Sequence, residues 1–260
     1  MVGITPHLSL SSNRATGTAS TATGRTQAVS GADKSGSATA TSASSSTLSS
    51  LARQLSEAAI RAEVRDASLS RKELGEKAKT ILDQVVADSY TANKAKHDAE
   101  VPNTNDPELL ARAKQATTYV NSRTYGSTDK VQSPFAGLSR DQLALIVYDE
   151  SGSFTVNERH AAYLDLYEQE QVWRRQAIAQ ADMEYQLTGK QTNFFAEVLK
   201  HYESLSPIEQ AQYPGDYAAR LQGMIDLDFN YMTHQTEGDG ASSAGLIERL
   251  LAAGPYAGRD

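Results

Sequence analysis

The longest helical pattern in the chain covers residues 156–188 and reads VNERHAAYLDLYEQEQVWRRQAIAQADMEYQLT. Its apolar residues fall within about half the circumference of a helical wheel drawn at 100° per residue. They are Tyr163, Leu164, Leu166, Tyr167, Trp173, Ala177, Ile178, Ala181 and Tyr185. One neighbouring helix cannot bury an arc of that width, so we predict a long central helix that packs against two or more others.

Capping signals place the other helices around this segment. A capping box is a Ser or Thr followed three residues later by Glu or Gln, and it satisfies free backbone N–H groups at a helix start. Four predicted helices open with this pattern: the pairs are Ser70 with Glu73, Ser139 with Gln142, Thr155 with Glu158, and Ser206 with Glu209. With the apolar spacing and a cap at Asp106, they predict further helices at 49–67, 71–98, 107–121, 140–148, 193–204, 207–212, 215–235 and 243–252.

No stretch alternates apolar and polar residues for long enough to indicate a strand. The connections 188–190 and 212–215 are short, so successive helices should be antiparallel neighbours. The predicted fold class is therefore all-α: an antiparallel helical bundle around a long central helix, preceded by a disordered N-terminal tail.

Composition divides the chain into three parts. Residues 1–48 are predicted to be a disordered Ser/Thr/Ala-rich tail, because small polar side chains cannot offset the cost of ordering the backbone, about 1–2 kcal/mol per residue. Residues 49–132 have few large apolar side chains and are predicted to form a helical hairpin, either separate or ordered by a partner. Fifteen of the 18 aromatic residues lie at or after Ser133, which predicts an aromatic-rich helical domain over 133–260.

The charge distribution excludes several function classes. Residues 133–260 contain 9 basic and 19 acidic residues, and an acidic domain without a basic stripe argues against nucleic-acid binding. No apolar run approaches about 18 residues, so no membrane span is expected. The chain has no Cys, which removes disulfides and thiolate chemistry.

Residues 147–158, VYDESGSFTVNE, resemble a degenerate EF-hand loop when they are aligned on Gly152. The candidate calcium ligands then take the third, fifth and twelfth positions. They are Asp149, Ser151 and Glu158. The first position, an Asp in the motif, is Val147, which removes one carboxylate. The alternative needs no metal, because the acidic Gly-containing run is typical of a turn and Glu158 also completes a capping box.

Three polar residues, His160, Glu170 and Arg174, interrupt the apolar arc of the central helix. One interpretation is a polar site in a cleft of the bundle. The other is structural: a Glu and an Arg four residues apart form a helix-surface pair worth about 0.2–0.5 kcal/mol. We identify no catalytic residue, because no nucleophile elbow, paired-His zinc spacing or phosphate-binding loop occurs. The excess of Tyr suits either an interface or the rim of a small bundle.

The start of the chain has an aliphatic Ile4, no acidic residue before Asp33, and 13 Ser among its first 50 residues. In these features it resembles the export signal of type III secreted effectors of plant-associated bacteria. The resemblance implies synthesis in a bacterial cytoplasm, secretion by a type III system, and a secretion chaperone as one partner. A plain tail or linker has the same composition. Residues 133–236 also resemble an uncharacterised all-helical family of the same bacteria, which implies no activity.

Two function hypotheses remain. The first is a non-enzymatic interaction protein, a secreted effector that binds a protein partner through its acidic helical domain. The alternative is an intracellular ligand- or calcium-responsive module, or an enzyme, that uses the loop 147–158 and the polar cluster. The first hypothesis requires no cofactor, and the second requires calcium or another ligand.

Overall fold

The computed structural model describes residues 39–125 and 131–238, and of residues 39–49, 124 and 125 it describes the backbone only. The helices are α1 Thr39–Ser68, α2 Arg71–Val86, α3 Asp88–Ala92, α4 Lys94–Asp98, α5 Pro107–Tyr125, α6 Arg140–Val147, α7 Val156–Thr188, α8 Thr192–Ser204, α9 Pro207–Gln210 and α10 Tyr217–Leu227. A two-residue hairpin, β1 Phe229–Asn230 and β2 Gln235–Thr236, follows α10. The predicted all-α fold, an antiparallel bundle around a long central helix, is confirmed.

Residues 1–38, 126–130 and 239–260 lie outside the described part of the chain. The predicted helix 243–252 falls there, as does most of the predicted tail 1–48. The predicted helix 49–67 corresponds to α1, Thr39–Ser68. Within the described ranges, no helix combines the length and apolar character needed to cross a membrane.

The central helix α7 has the predicted bounds because both of its ends are encoded locally. Thr155 is the N-cap, and the side chain of Glu158 accepts a hydrogen bond from the Thr155 backbone N–H at 2.8 Å. At the other end Gly189 has a φ of +74°, a left-handed conformation that L side chains rarely adopt. A Cβ at this position would also lie 2.6 Å from the side-chain oxygen of Asn230. Glycine is therefore required where α7 ends.

The predicted helix 71–98 is interrupted twice, at Ala87 and Asn93, and forms α2, α3 and α4. Asn93 donates its side-chain amide to the carbonyl of Ser89 at 2.8 Å, a local bond that competes with helix continuation. The interruption places Tyr90 in the core, where its hydroxyl donates to the side-chain oxygen of Asn157 at 2.8 Å. Tertiary burial of Tyr90 thus accompanies a break that helix propensity did not predict.

The predicted helix 215–235 is also too long, because α10 ends at Leu227. Asp228 is left-handed, with a φ of +42°, and the chain then turns back through the β1–β2 hairpin. Lys190 holds this turn against the end of α7 through an ion pair with Asp228 at 2.5 Å. The sequence predicts no strand over 229–236, because pairing over two residues is too short to produce an alternating pattern.

One aliphatic core joins α1, α2, α5 and α6 to the first part of α7. Its largest fully buried apolar side chains are Ile81, Val85, Val120, Phe135, Leu143, Ile146, Val147 and Ile208. These residues come from both sides of residue 132, so the region 49–132 does not form a separate hairpin. Its low content of large apolar residues is compensated by Ala78 and Ala116, which are fully buried and let helices approach closely.

A second layer consists of residues 167–188 of α7 together with α8 and α10. Only Ala177 and Ala181 are buried in this part of α7. Tyr202 of α8 and Leu221 and Leu227 of α10 are also buried, and the other large side chains of the layer are partly or fully exposed. Residues 156–166 of α7 therefore belong to the aliphatic core, and residues 167–188 extend from it.

Candidate functional site

A cleft of about 330 Å³ lies between α7, α8 and α10 and opens to solvent. We call it the Trp173 cleft. Its apolar wall consists of Trp173, Ala177, Ile178, Phe194 and Val198. The opposite wall and the polar end consist of Tyr202, Tyr213, Tyr217, Glu170, Arg174 and His201. A cleft of this volume, apolar with few polar groups, is typical of a binding site.

The polar end of the cleft is organised by Glu170. Its carboxylate lies 2.9 Å from Nε2 of His201 and accepts a hydrogen bond from Nε of Arg174 at 3.1 Å. The hydrogen bonds with His201 and Arg174, together with the nearby guanidinium of Arg140, lower the pKa of Glu170 to about 2, although burial acts in the opposite direction. Glu170 is therefore ionised at neutral pH and fixes the orientation of the imidazole.

Contacts between aromatic rings fix the positions of the other large side chains that line the cleft. The ring of Trp173 stacks on His201 with centroids 3.6 Å apart and planes inclined by 14°. Tyr202 meets Tyr213 and Tyr217 edge to face, at centroid distances of 5.4 and 5.1 Å. Burial raises the pKa of both Tyr213 and Tyr217, so their hydroxyls remain protonated donors at neutral pH. The cleft thus presents rigid rings with hydroxyl groups attached.

Arg140 of α6 connects this cleft to the aliphatic core. Its guanidinium lies 3.7 Å from Glu170 and 2.9 Å from Glu209. Glu209 in turn accepts a hydrogen bond from the Ser206 backbone N–H at 3.1 Å, which caps α9. The second layer is therefore attached to the aliphatic core through the ion pairs of Arg140 as well as through α7.

The predicted polar cluster is divided by the structure. Glu170 and Arg174 meet in the cleft, whereas His160 lies ten residues earlier on α7, about 15 Å along the helix axis. His160 is buried with its ring edge-on to Tyr90, at a centroid distance of 4.4 Å. Among the described residues its Nδ1 has no hydrogen-bond partner, and burial lowers its pKa to about 4. His160 belongs to the core.

The loop 147–158 has the turn predicted for it, with Gly152 left-handed at a φ of +81°. The two carboxylates that were candidate calcium ligands, however, are engaged by arginines. Asp149 accepts hydrogen bonds from Arg61 at 2.5 and 3.3 Å, and the Ser151 backbone N–H donates to it at 2.8 Å.

Glu158 is completely buried, and its Oε1 accepts a hydrogen bond from Nε of Arg112 at 2.6 Å. Its other carboxylate oxygen caps α7. In the ranges 39–125 and 131–238, no group of three or more His, Asp or Glu side chains is arranged to hold a metal ion. The geometry of this loop therefore matches the turn-and-cap interpretation.

Several cleft residues were not predicted to belong to a site, although Trp173 was placed in the apolar arc of the central helix. His201 and Trp173 come from different helices, and Tyr213 and Tyr217 lie in and after the connection between α9 and α10. The signal for them was partial: Glu170 and Arg174 interrupt an apolar arc, and nine Tyr fall in the acidic domain. Comparison of the chain with protein families, curated proteins and solved structures gives no match.

Proposed function

We propose that the protein is a non-enzymatic interaction protein, and that the Trp173 cleft receives an anchor side chain of a protein partner. The observation that carries this proposal is the lining of the cleft. Trp, Tyr and Arg are the residues that dominate binding energy at protein interfaces, and they surround one open cavity here.

The cleft selects for a side chain with an apolar body and a polar tip. Ile178, which is 56% exposed, and Val198 offer apolar contact at the wall. At the polar end, Arg174 is half-exposed. Its Nε donates to Glu170, and in the described part of the chain its two terminal nitrogens have no hydrogen-bond partner. Such a site discriminates by leaving polar groups unpaired when the wrong side chain enters.

The experiment is a selection of displayed peptides against the full chain, followed by binding measurements with two variants of α7. Ile178→Asp puts a charge into the cleft, and we expect at least a tenfold loss of affinity, about 1.4 kcal/mol. Val172→Asp is the matched control, because Val172 is also exposed on α7 but does not line the cleft. Peptides that bind both variants as tightly as the parent would contradict the proposed role of the cleft.

We further propose that the protein is a type III secreted effector, on the basis of its first 50 residues. A reporter fused after residue 50 is expected to leave the bacterial cell in a strain with an intact type III system and to remain inside in a strain without it. Retention in both strains would contradict export, and it would leave the binding role of the cleft unaffected. A secretion chaperone is the partner expected for this segment.

A further inference from the structure

A second surface lies on the other side of the α7–α8 contact. It is a groove of about 350 Å³, which we call the Leu187 groove, and it shares only Ala177 and Phe194 with the Trp173 cleft. Its rim is unusually apolar for solvent-exposed helix, since Met183 is 64% and Leu187 is 78% exposed. Exposed apolar side chains grouped in this way are typical of interaction sites.

The walls of the groove favour a helical occupant. Both walls are α-helices, whose backbone groups are hydrogen-bonded internally. Two of the free N–H groups at the start of α8 are also satisfied, because Glu184 accepts from the backbone of Asn193 at 2.9 Å and of Phe194 at 3.1 Å. An extended peptide would find no backbone partners there, whereas a helix satisfies its own. The groove covers residues 177–188 of α7, about 16 Å, or three turns of a docked helix.

The charge of the groove favours a basic occupant. Glu184 and Glu197 line it, and no Lys or Arg is among its lining residues in the described part of the chain. The surrounding region 133–238 contains 16 acidic and 7 basic residues, so its long-range field attracts cations. Complementary charge raises the rate of association and selects among partners.

We propose that the Leu187 groove binds a basic amphipathic α-helix of a partner protein. The apolar face of that helix, with residues at i, i+3 or i+4, and i+7, lies on Met183, Leu187 and Phe194. Its Lys or Arg residues flank this face and lie near Glu184 and Glu197. The groove thereby supplies a docking surface in addition to the anchor site of the Trp173 cleft.

The test uses a fluorescent peptide of about 14 residues with Leu at helical spacing and Lys on both flanks, and measures its anisotropy with the full chain. Leu187→Glu is expected to weaken binding at least tenfold, because the new carboxylate is buried under the peptide. Val64→Glu is the matched control: Val64 is 65% exposed on α1 and the charge change is the same. Binding should survive in Val64→Glu and in Ile178→Asp, and it should weaken as salt is raised.

Three comparison peptides make the proposal falsifiable. A scrambled peptide of the same composition, one with a central Pro, and one with Glu in place of Lys are each expected to bind at least tenfold more weakly. Absence of binding by the Lys peptide, equal binding by the scrambled peptide, or equal loss in Val64→Glu would overturn the proposal. A dimer that Leu187→Glu dissociates would overturn it as well, by assigning the groove to a second copy.

Discussion

The two halves of α7 have opposite surroundings although they belong to one continuous helix. Residues 157–162 are buried without exception, including the charged Glu158, which pairs with Arg112, and Arg159, which donates to the carbonyl of Val147. Residues 167–188 bury only two alanines and present a Trp, a Met and a Leu to clefts open to solvent. The first half stabilises the fold, and the second half supplies the two surfaces that we propose as binding sites.

The largest expected effect comes from the first half. Glu158→Ala removes the partner of Arg112, whose side chain is only 8% exposed, and also removes the carboxylate that accepts from the Thr155 backbone N–H in the capping box of α7. Loss of one member of a buried ion pair costs about 3–5 kcal/mol of the free energy of unfolding. Urea denaturation followed by circular dichroism measures this change.

Glu168→Ala is the control for that variant, because Glu168 pairs with Arg123 at 3.6 Å and both side chains are more than half exposed. We expect a change of about 0–1 kcal/mol. If the two variants were equally stable, the distinction between a buried structural half and an exposed half of α7 would fail.

The next effect is on pH dependence, and the two halves should respond in different ranges. The pKa of His160 is about 4 in the folded protein against 6.5 when unfolded, so its contribution to stability is present above pH 6.5 and is lost as pH falls to 4. The pKa of Glu170 falls from 4.5 to about 2, so its contribution is lost only between pH 4.5 and 2.

Melting temperatures recorded from pH 8 to pH 3 test this order. In His160→Phe the decline between pH 6.5 and 4 should shrink by about 2–3 kcal/mol in free energy. In Glu170→Gln the slope of the melting temperature against pH should differ from that of the parent only below pH 4.5. A His160→Phe profile parallel to that of the parent would show that His160 is not the titrating group.

The same contrast explains how much the sequence could predict. The bounds of α7 follow from Thr155, Glu158 and Gly189, which are local signals, and the structure confirms them. The end of α10 and the break at Ala87 depend on Asp228 and Tyr90, whose conformations are set by contacts distant in sequence. Tertiary packing overrides helix propensity at such positions.

The candidate site was predictable only in part, for the same reason. Glu170 and Arg174 are four residues apart, so their meeting follows from helix geometry. His201 and Tyr217 reach them only because α8 and α10 fold back on α7. His160 lies on the same helix as Glu170 but at another depth, and a helical wheel does not display distance along the axis.

A smaller effect is expected where the halves are joined. Arg140→Gln removes the guanidinium group that forms ion pairs with both Glu170 and Glu209. Hydrogen bonds to charged groups contribute about 1.5–3 kcal/mol, and Arg140 remains partly exposed, so we expect a cost near the lower figure.

Trp173 is the single Trp of the chain, so its fluorescence reports on the second layer alone. In Arg140→Gln the fluorescence transition in urea should precede the circular-dichroism transition, because the layer of α8 and α10 can then open separately. Coincident transitions in this variant would mean that α7 alone transmits the coupling.

The smallest effect is expected from calcium at the loop 147–158. Asp149 is held by Arg61 and Glu158 by Arg112, so calcium would have to displace two guanidinium groups, and Val147 supplies no carboxylate in the first position. We expect millimolar calcium to leave the melting temperature within about 1 °C of its value in chelator, because a ligand stabilises a protein only in proportion to its binding. Arg61→Ala frees Asp149 without touching the core, so it offers the more permissive loop. A calcium-dependent rise in the parent protein would contradict this interpretation, and a rise confined to Arg61→Ala would show that Arg61 occupies the place of the cation.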